Sequence, residues 1–184
     1  MPPIFRWLIA AALLGAAVFW VVTIPADVDA AALEGVEGDA GRGERLFWAA
    51  GCANCHAAPE AEGEEKLVLA GGQRFPSPFG TFLAPNISPS EAGIGGWSLA
   101  DFAKAVRRGI SPDGEPYYPV FPYTFYSRLT DQDVADLYAA FQTVAPVAES
   151  APTSDVSFPF SERAGLKLWR ALYFQGEPFE PDPE

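Results

Sequence analysis

The sequence predicts an all-α domain that follows one N-terminal transmembrane helix. Three observations predict this fold class: a charge-free apolar run near the start, three segments with apolar residues at helical spacing, and no strong strand pattern. An apolar content of 49% with 20% charged residues excludes global disorder. We expect an anchor, an acidic linker, a main domain, and a C-terminal strap with a short amphipathic helix, at residues 1–24, 25–40, 41–145 and 146–184.

Residues 7–24 form the predicted anchor. They carry no charge, and at ~1.5 Å per residue they would extend about 27 Å, close to the thickness of the hydrocarbon core of a bilayer. Arg6 precedes this run and Asp27 and Asp29 follow it, so the positive-inside rule places the N-terminus in the cytoplasm. We therefore expect a single-pass inner-membrane protein with its soluble domain on the periplasmic side. A cleaved signal peptide is the alternative, although its apolar segment usually has only about 7–15 residues.

The negative net charge of the chain limits the classes of partner that it can bind. The net charge is −12, whereas a protein that binds nucleic acid needs a basic face to hold phosphates. The acidity therefore argues against a nucleic-acid partner. We expect the acidic linker either to hold the domain off an anionic membrane surface or to be a solvated segment without a partner.

The first helix of the main domain is predicted over residues 41–56, where Leu46 and Phe47 belong to one apolar stripe. Residues 57–97 then predict a long loop, with only a weak strand at 67–69. A structureless loop of this length is unusual in a compact domain unless it wraps around something.

Two further helices begin with the pattern of a capping box. In the second helix Ser98 is the predicted N-cap, Asp101 follows three residues later, and Gly109 marks the end. In the third helix Thr130 and Asp133 have the same spacing. Each is followed by apolar residues at helical spacing, so both helices are expected to bury one face.

The C-terminal region predicts an extended strap and then a short helix. This helix is expected to run from Ser161 through Phe174, with apolar residues beside the bases Arg163, Lys167 and Arg170. An apolar face with a basic edge suits docking on a membrane or on a partner subunit. Packing of the helix on its own domain is the alternative.

Residues 52–56 read Cys-Ala-Asn-Cys-His, the pattern of covalent haem attachment. Two thiols one helical turn apart can add to the two vinyl groups of one haem, and the next imidazole can be the proximal iron ligand. A thioredoxin-type pair would need a βαβ context, and a structural zinc site would need four ligands, whereas the chain has two Cys and one His. We therefore predict one covalent haem c on Cys52 and Cys55, with His56 as the metal ligand.

Residues 41–145 resemble the class I cytochrome c domain, most of all the membrane-anchored mono- and dihaem cytochromes that serve periplasmic dehydrogenases. Three segments carry this resemblance: GERLFWAAGCANCHAAP, GGQRFPSPFGTFLAPNISPSEAGIGGWSLADF and YYPVFPYTFYSRLTDQDVADLYAAF. It implies an all-α class I cytochrome c fold, with long loops wrapped around one haem, and a role in electron transfer. The segment FPFSERAGLKLWRALYFQGEPFEPDP also resembles the one after the first haem domain of dihaem members. Since no second C-x-x-C-H follows before Glu184, we expect one haem.

The distal side of the haem departs from the family. Relatives carry a Met at the position of Phe121 or of Leu129, and Met1 lies at the far end of the anchor. We expect an open or weakly occupied distal site with an apolar wall of Phe121 and Leu129, and a lowered haem potential. Water, a partner subunit or an unusual side chain remain as sources of a sixth ligand; the candidate side chains are Tyr117, Tyr118, Tyr123, Tyr126, Lys66, Lys104 and Asn86.

Other residues give weaker signals. Arg74 is a candidate for contact with a haem propionate, and Asn86 is expected to tie the backbone of a rigid turn at the haem edge. Tyr123 belongs to a Tyr-rich run that is expected to wall the haem pocket, with its hydroxyls directed to water or propionates. Three bases form a stripe that pairs with propionates or a partner, or is simply solvated: Lys104, Arg107 and Arg108.

The sequence therefore predicts a membrane-tethered periplasmic cytochrome that carries single electrons and has no catalytic residues of its own. The expected redox partners are a dehydrogenase, a quinol-oxidising complex or an oxidase. Two alternatives stay open: a haem module that binds or senses a small ligand, and an accessory subunit of a membrane complex. No nucleophile–base pair points to a hydrolase or a transferase.

Overall fold

The computed structural model describes residues 2–174 and 176. Met1, Gln175 and residues 177–184, at the end of the predicted C-terminal region, lie outside the described residues. The helices in this part of the chain are α1 (Pro3–Val22), α2 (Ala40–Ala49), α3 (Cys52–His56), α4 (Leu99–Ala103), α5 (Tyr123–Tyr126), α6 (Asp131–Phe141) and α7 (Ala164–Tyr173). Three short strands are β1 (Arg74–Ser77), β2 (Gly80–Leu83) and β3 (Asp155–Val156). The 3₁₀ segments are Ala31–Leu33 and Gly63–Leu67, and a π-helical turn at Lys104–Arg108 continues α4.

Helix α1 is long and apolar enough to cross a membrane by its length and composition. It begins at Pro3, earlier than the predicted Trp7, because proline suits the first turn of a helix, where backbone N–H groups have no partner within the helix. The helix ends at Val22, and the Thr23 hydroxyl donates a hydrogen bond to the carbonyl of Phe19 at 2.7 Å.

Helices α2 and α6 pack against each other and form one side of the core. A Cβ on Gly43 would overlap the carbonyl oxygen of Asp136, so only glycine allows the two backbones to come this close. Phe47 of α2 meets Phe141 of α6 edge to face, with ring centroids 5.7 Å apart. Phe102 of α4 packs on Phe141 from the other side, with centroids 5.4 Å apart. Aromatic side chains from three helices therefore meet in the core, beside aliphatic residues such as Leu69, Val134 and Leu137.

The α2–α6 contact also contains a buried carboxylate, Asp136, whose side chain exposes 3% of its surface. It accepts hydrogen bonds from Nε and Nη2 of Arg42 at 2.6 and 2.8 Å. It also accepts from the backbone N–H of Asp39 at 2.7 Å and from the Gln132 side chain at 2.8 Å. The Arg42 guanidinium holds the pKa of Asp136 well below its usual range.

Both predicted capping boxes are confirmed. The Ser98 and Thr130 side chains accept hydrogen bonds from the backbone N–H groups of Asp101 and Asp133, and each Asp carboxylate accepts from the backbone N–H of its cap. Gly109 ends the helix after Ser98 in the left-handed conformation, with φ 59°.

The long loop after α3 contains the main difference from the sequence prediction. The weak strand expected at 67–69 is wrong: Leu67 closes a 3₁₀ segment, and the strands lie farther on, in an antiparallel sheet of order β1-β2-β3. Strand β3 pairs Asp155 with Thr81. The β1–β2 hairpin lies within residues 57–97, where the sequence prediction missed it, whereas β3 comes from the predicted strap.

Two helix boundaries also differ from the prediction. The single helix expected over 41–56 is broken by Gly51, which is left-handed with φ 73° and separates α2 from α3. Helix α7 begins at Ala164 after Arg163, and not at a Ser161 cap. A hydrogen bond at 2.7 Å from the Arg163 guanidinium to the Pro116 carbonyl ties the start of α7 to the loop before α5.

Candidate haem site

Helix α3 carries the two cysteines and the single histidine of the chain. Cys52 and Cys55 lie on one turn, both as free thiols and both partly buried. Burial raises the pKa of Cys52 to about 12 and also raises that of Cys55. Redox-active thiol pairs have lowered pKa values instead.

A backbone carbonyl orients the imidazole of His56. The Nδ1 atom lies 2.9 Å from the carbonyl oxygen of Pro85, and because a carbonyl only accepts, Nδ1 must carry the proton. Burial lowers the pKa of His56, which favours the neutral ring. Within the described part of the chain Nε2 has no hydrogen bond, so its lone pair is available to a metal. This is the arrangement in which a protein fixes the tautomer of a metal-binding histidine.

Gly71 makes this arrangement possible, and sequence reasoning missed it. Its backbone N–H donates to the carbonyl of His56 at 2.8 Å. Its φ is 74°, and a Cβ there would lie 2.5 Å from the carbonyl oxygen of Pro85, the atom that orients His56. Any side chain at this position would push Pro85 away from the imidazole. The Gly-Gly pair at 71–72 was the available signal, but the sequence did not place it beside Pro85.

The turn after Pro85 is held by the strap. The Asn86 amide nitrogen donates to the carbonyls of Val147 and Glu149 at 2.8 and 3.0 Å, and its oxygen accepts from the Ser88 N–H at 2.8 Å. The expected tying of backbone by Asn86 is therefore observed. Both ends of this buried amide are already engaged, which makes it a poor source of an iron ligand.

Aromatic side chains surround the predicted distal residues. Phe121 contacts the rings of three tyrosines at centroid distances of 5.8–6.1 Å: Tyr117, Tyr123 and Tyr126. Leu129 is partly buried against the core. The roles of Phe121 and Leu129 towards a haem stay predictions, but both lie in apolar surroundings.

The tyrosine hydroxyls differ from the sequence prediction. Tyr126 donates to the Ala50 carbonyl at 2.7 Å, and Tyr118 donates to the Phe160 carbonyl at 2.8 Å, so these two face protein and not water. Burial raises the pKa of Tyr126 to about 12, and the nearby Cys52 and Cys55 add to that shift. Tyr126 therefore links α5 to the segment that carries the cysteines.

Tyr123 packs against the end of α7. Its ring is fully buried against Gly109, Phe174 and the guanidinium of Arg170. Arg74 is exposed on β1. Their predicted contacts with the haem stay predictions.

The bases of the predicted stripe all contact other residues of this chain. Arg107 forms an ion pair with Asp131 at 2.7 Å, and Lys104 lies 3.9 Å from Asp27. Arg108 donates to the carbonyl of Gly176 at 2.7 Å.

The donor set fits a covalent haem. Two free thiols on one turn precede a neutral imidazole whose second nitrogen is open, and aromatic side chains lie nearby. Within residues 2–174 and 176, no group of three or more His, Cys, Asp or Glu is placed to hold a metal ion alone.

Comparison with known proteins agrees with the site. A family model described as "Cytochrome c" matches residues 40–143. A protein named "Diheme cytochrome c-type" from Cereibacter sphaeroides is 50% identical over 159 residues, which are 86% of this chain and 53% of that protein.

Two further relatives are named as subunits of dehydrogenases. A "Fructose dehydrogenase cytochrome subunit" from Gluconobacter japonicus is 45% identical over 75% of this chain and 28% of its own length. An "Alcohol dehydrogenase (quinone), cytochrome c subunit" from Gluconobacter oxydans is 38% identical over 91% of this chain and 33% of its own length. The chain thus spans about half of the first relative and a third or less of the other two.

Proposed function

The chain belongs to the cytochrome c family, and on this premise we propose that it is a membrane-tethered electron carrier with one haem c in residues 41–145. It takes electrons from a dehydrogenase or a quinol-oxidising complex and passes them to an oxidase or a soluble carrier. Helix α1 holds it in the inner membrane, with the haem domain on the periplasmic side.

Haem c, when bound, supplies a one-electron iron couple; the chain supplies attachment, orientation and burial. Cys52 and Cys55 provide the two thioether sulfurs. His56 presents Nε2 because Nδ1 is occupied by the Pro85 carbonyl at 2.9 Å. Gly71 keeps that carbonyl in place. None of these residues makes or breaks a substrate bond, which agrees with a carrier and not an enzyme.

The contact between His56 Nδ1 and the Pro85 carbonyl is the observation that carries the proposal. A free surface histidine would gain little from a fixed tautomer, whereas a ligand needs one defined nitrogen for the metal.

The relatives support a dehydrogenase as the electron donor. Several are named as cytochrome subunits of fructose, alcohol or gluconate dehydrogenases. The substrate of the partner stays open because this chain spans only part of each relative.

The test begins with the full chain, produced in cells that attach haem c and purified in detergent. We expect a pyridine haemochrome spectrum typical of two thioether bonds and a mass increase of one haem per chain. Cys52→Ser/Cys55→Ser should lose the covalent haem, whereas Ser127→Ala, which leaves the motif intact, should keep it. A colourless wild-type chain would overturn the proposal.

The second step tests electron transfer. The haem-loaded chain is mixed with the catalytic part of a fructose, alcohol or gluconate dehydrogenase and its substrate, and haem reduction is followed by absorbance. Reduction that depends on both substrate and dehydrogenase supports the proposal. Failure with all three enzymes would contradict a donor of this class.

One observation favours a second candidate function, the binding of a small ligand. His56 is the only histidine and Met1 the only methionine, and the predicted distal residues Phe121 and Leu129 have no group that ligates iron. Rapid binding of CO to the reduced protein, seen as a shift of its main absorption band, would support this function. An unchanged spectrum under CO would exclude it.

A further inference from the structure

A small pocket lies where the membrane helix meets α7. It has a volume of about 80 Å³ and is lined by residues 22–26, just after α1, and by Arg108, Lys167, Arg170 and Phe174. Three of these side chains are cations, in a chain whose net charge is −12. The pocket is separate from the predicted haem site on α3.

Arg170 is a buried cation that forms no ion pair with any described residue. Its exposed fraction is 7%, and its Nη1 atom is buried without a hydrogen bond to any described residue. Its guanidinium lies 5.3 and 4.9 Å from the ring centroids of Tyr123 and Phe174. Those rings offset part of the cost of burying the charge. The Tyr123 hydroxyl also acts to raise the pKa of Arg170, but among the described residues neither this hydroxyl nor Nη1 forms a hydrogen bond.

Arg108 increases this imbalance. Its Nη1 is bound to the Gly176 carbonyl, while its Nε is buried and unbonded within the described part of the chain. Burial lowers the pKa of both Arg108 and Arg170, and each is further lowered by a neighbouring arginine charge. Two acids lie near these bases. Asp27, whose charge acts to raise the pKa of Arg108, lies 3.9 Å from Lys104, and Asp131 is paired with Arg107. Among the described residues, no carboxylate lines the pocket.

The position of the pocket indicates which class of anion could reach it. Helix α1 has 20 residues, about 30 Å at 1.5 Å per residue, so its end at Val22 lies near the boundary between hydrocarbon and headgroups. Helix α7 faces outward with apolar side chains: Leu168, Leu172 and Tyr173 are 46%, 62% and 71% exposed. An outward apolar face with the arginine turned inward suits a helix that lies against lipid.

We propose that this pocket binds the phosphate of an anionic phospholipid headgroup, held by Arg108 and Arg170 with Lys167 beside it. Guanidinium groups can donate paired hydrogen bonds to phosphate oxygens. Leu168 and Leu172 would then face the acyl chains. The inference rests on the membrane tether proposed above, because the tether brings the pocket to the level of the headgroups.

The test uses the full, haem-loaded chain in neutral detergent and calorimetric titration. The probes are short-chain phosphatidylglycerol, phosphatidylcholine with the same chains, and inorganic phosphate. We expect phosphatidylglycerol to bind at least tenfold more tightly than either of the other two. In Arg108→Gln/Arg170→Gln its binding should weaken at least tenfold.

The matched control is Arg45→Gln/Arg128→Gln, which removes the same charge from two exposed arginines that do not line the pocket. It should bind like the wild type. Equal losses in both double variants would overturn the proposal, because they would show an unspecific charge effect. Equal affinity for phosphatidylglycerol and phosphatidylcholine would overturn it as well. If inorganic phosphate bound as tightly as phosphatidylglycerol, the pocket would be a site for a free anion and the lipid proposal would be wrong.

Folding of the variants is checked by far-ultraviolet circular dichroism and the haem spectrum. If the double variant does not fold, Lys167→Gln replaces it, with an expected threefold loss; an unchanged affinity would then overturn the proposal. Carbonate extraction of native membranes tests the tether separately. Release of the protein by carbonate would contradict the tether, whereas the titration would still report on the pocket.

Discussion

Two regions of this molecule bury a charged side chain, and they differ in the hydrogen bonds that this side chain receives or donates. Between α2 and α6, Asp136 receives four hydrogen bonds, two of them from its counter-ion Arg42. Between α1 and α7, Arg170 is buried over two aromatic rings, with Nη1 unbonded among the described residues. Removing one partner from a buried pair is costly, whereas a buried charge without a partner costs stability as it stands. The difference indicates that Asp136 serves the fold and that Arg170 serves a ligand.

The largest effect should follow from separating α2 and α6. In Gly43→Ala the new Cβ would overlap the Asp136 carbonyl, so the helices must move apart and their shared hydrogen bonds must stretch. We expect the free energy of unfolding to fall by about 3 kcal/mol, measured by denaturant titration of the full chain in detergent. Gly41→Ala, in the same helix but near only the flexible Asp39 side chain, should stay within about 1 kcal/mol of wild type.

The next effect comes from the buried carboxylate itself. Asp136→Asn keeps the shape but removes the charge that receives the Arg42 guanidinium, and we expect a loss of about 2 kcal/mol. Arg42 is half-exposed, which screens the pair and keeps the loss moderate. Asp113→Asn, on an exposed turn, is the control and should change stability by less than about 0.5 kcal/mol. Equal losses for both substitutions would contradict the special role of Asp136.

The same carboxylate should make stability depend on pH. The pKa of Asp136 is lowered in the folded chain, chiefly by Arg42, while an unfolded Asp titrates near pH ~4. Its contribution is therefore fully present above about pH 4 and is lost as the pH falls towards the lower folded value. The stability difference between wild type and Asp136→Asn should be smaller at pH 3 than at pH 7. A constant difference would show that the charge is not the cause.

The smallest effect is expected at the second buried charge. Arg170→Met keeps a long side chain and removes a cation that lacks an acceptor in the described structure, so stability in neutral detergent should stay within about 1 kcal/mol of wild type. A loss above about 2 kcal/mol would mean that the chain itself satisfies this charge, and the contrast with Asp136 would fail. Denaturant titration beside Asp136→Asn measures both substitutions in one experiment.

Features coded by neighbouring residues were predicted well. Both capping boxes depend on two side chains three positions apart, and both are confirmed. The family also followed from local motifs, since the segments around Cys52–His56 already resembled cytochrome c and the family match covers residues 40–143.

Features that join distant segments were missed. The small sheet needs Asp155 beside Thr81, and the orientation of His56 needs Pro85 and Gly71 to meet beside α3. The sequence predicted an amphipathic helix at α7, but it could not decide which face of the helix packs against the domain.

By itself, the sequence determined the covalent attachment motif, the apolar helix at the start, and the capped starts of the helices after Ser98 and Thr130, since each depends on contacts within a few residues. Tertiary structure alone decided which nitrogen of His56 has no hydrogen bond, which carboxylate is satisfied, and that Arg170 is buried beside the end of α1. The physical reason is that hydrogen-bond geometry and burial depend on what lies across the fold. Two buried charges that look alike in the chain can therefore have opposite surroundings in the molecule.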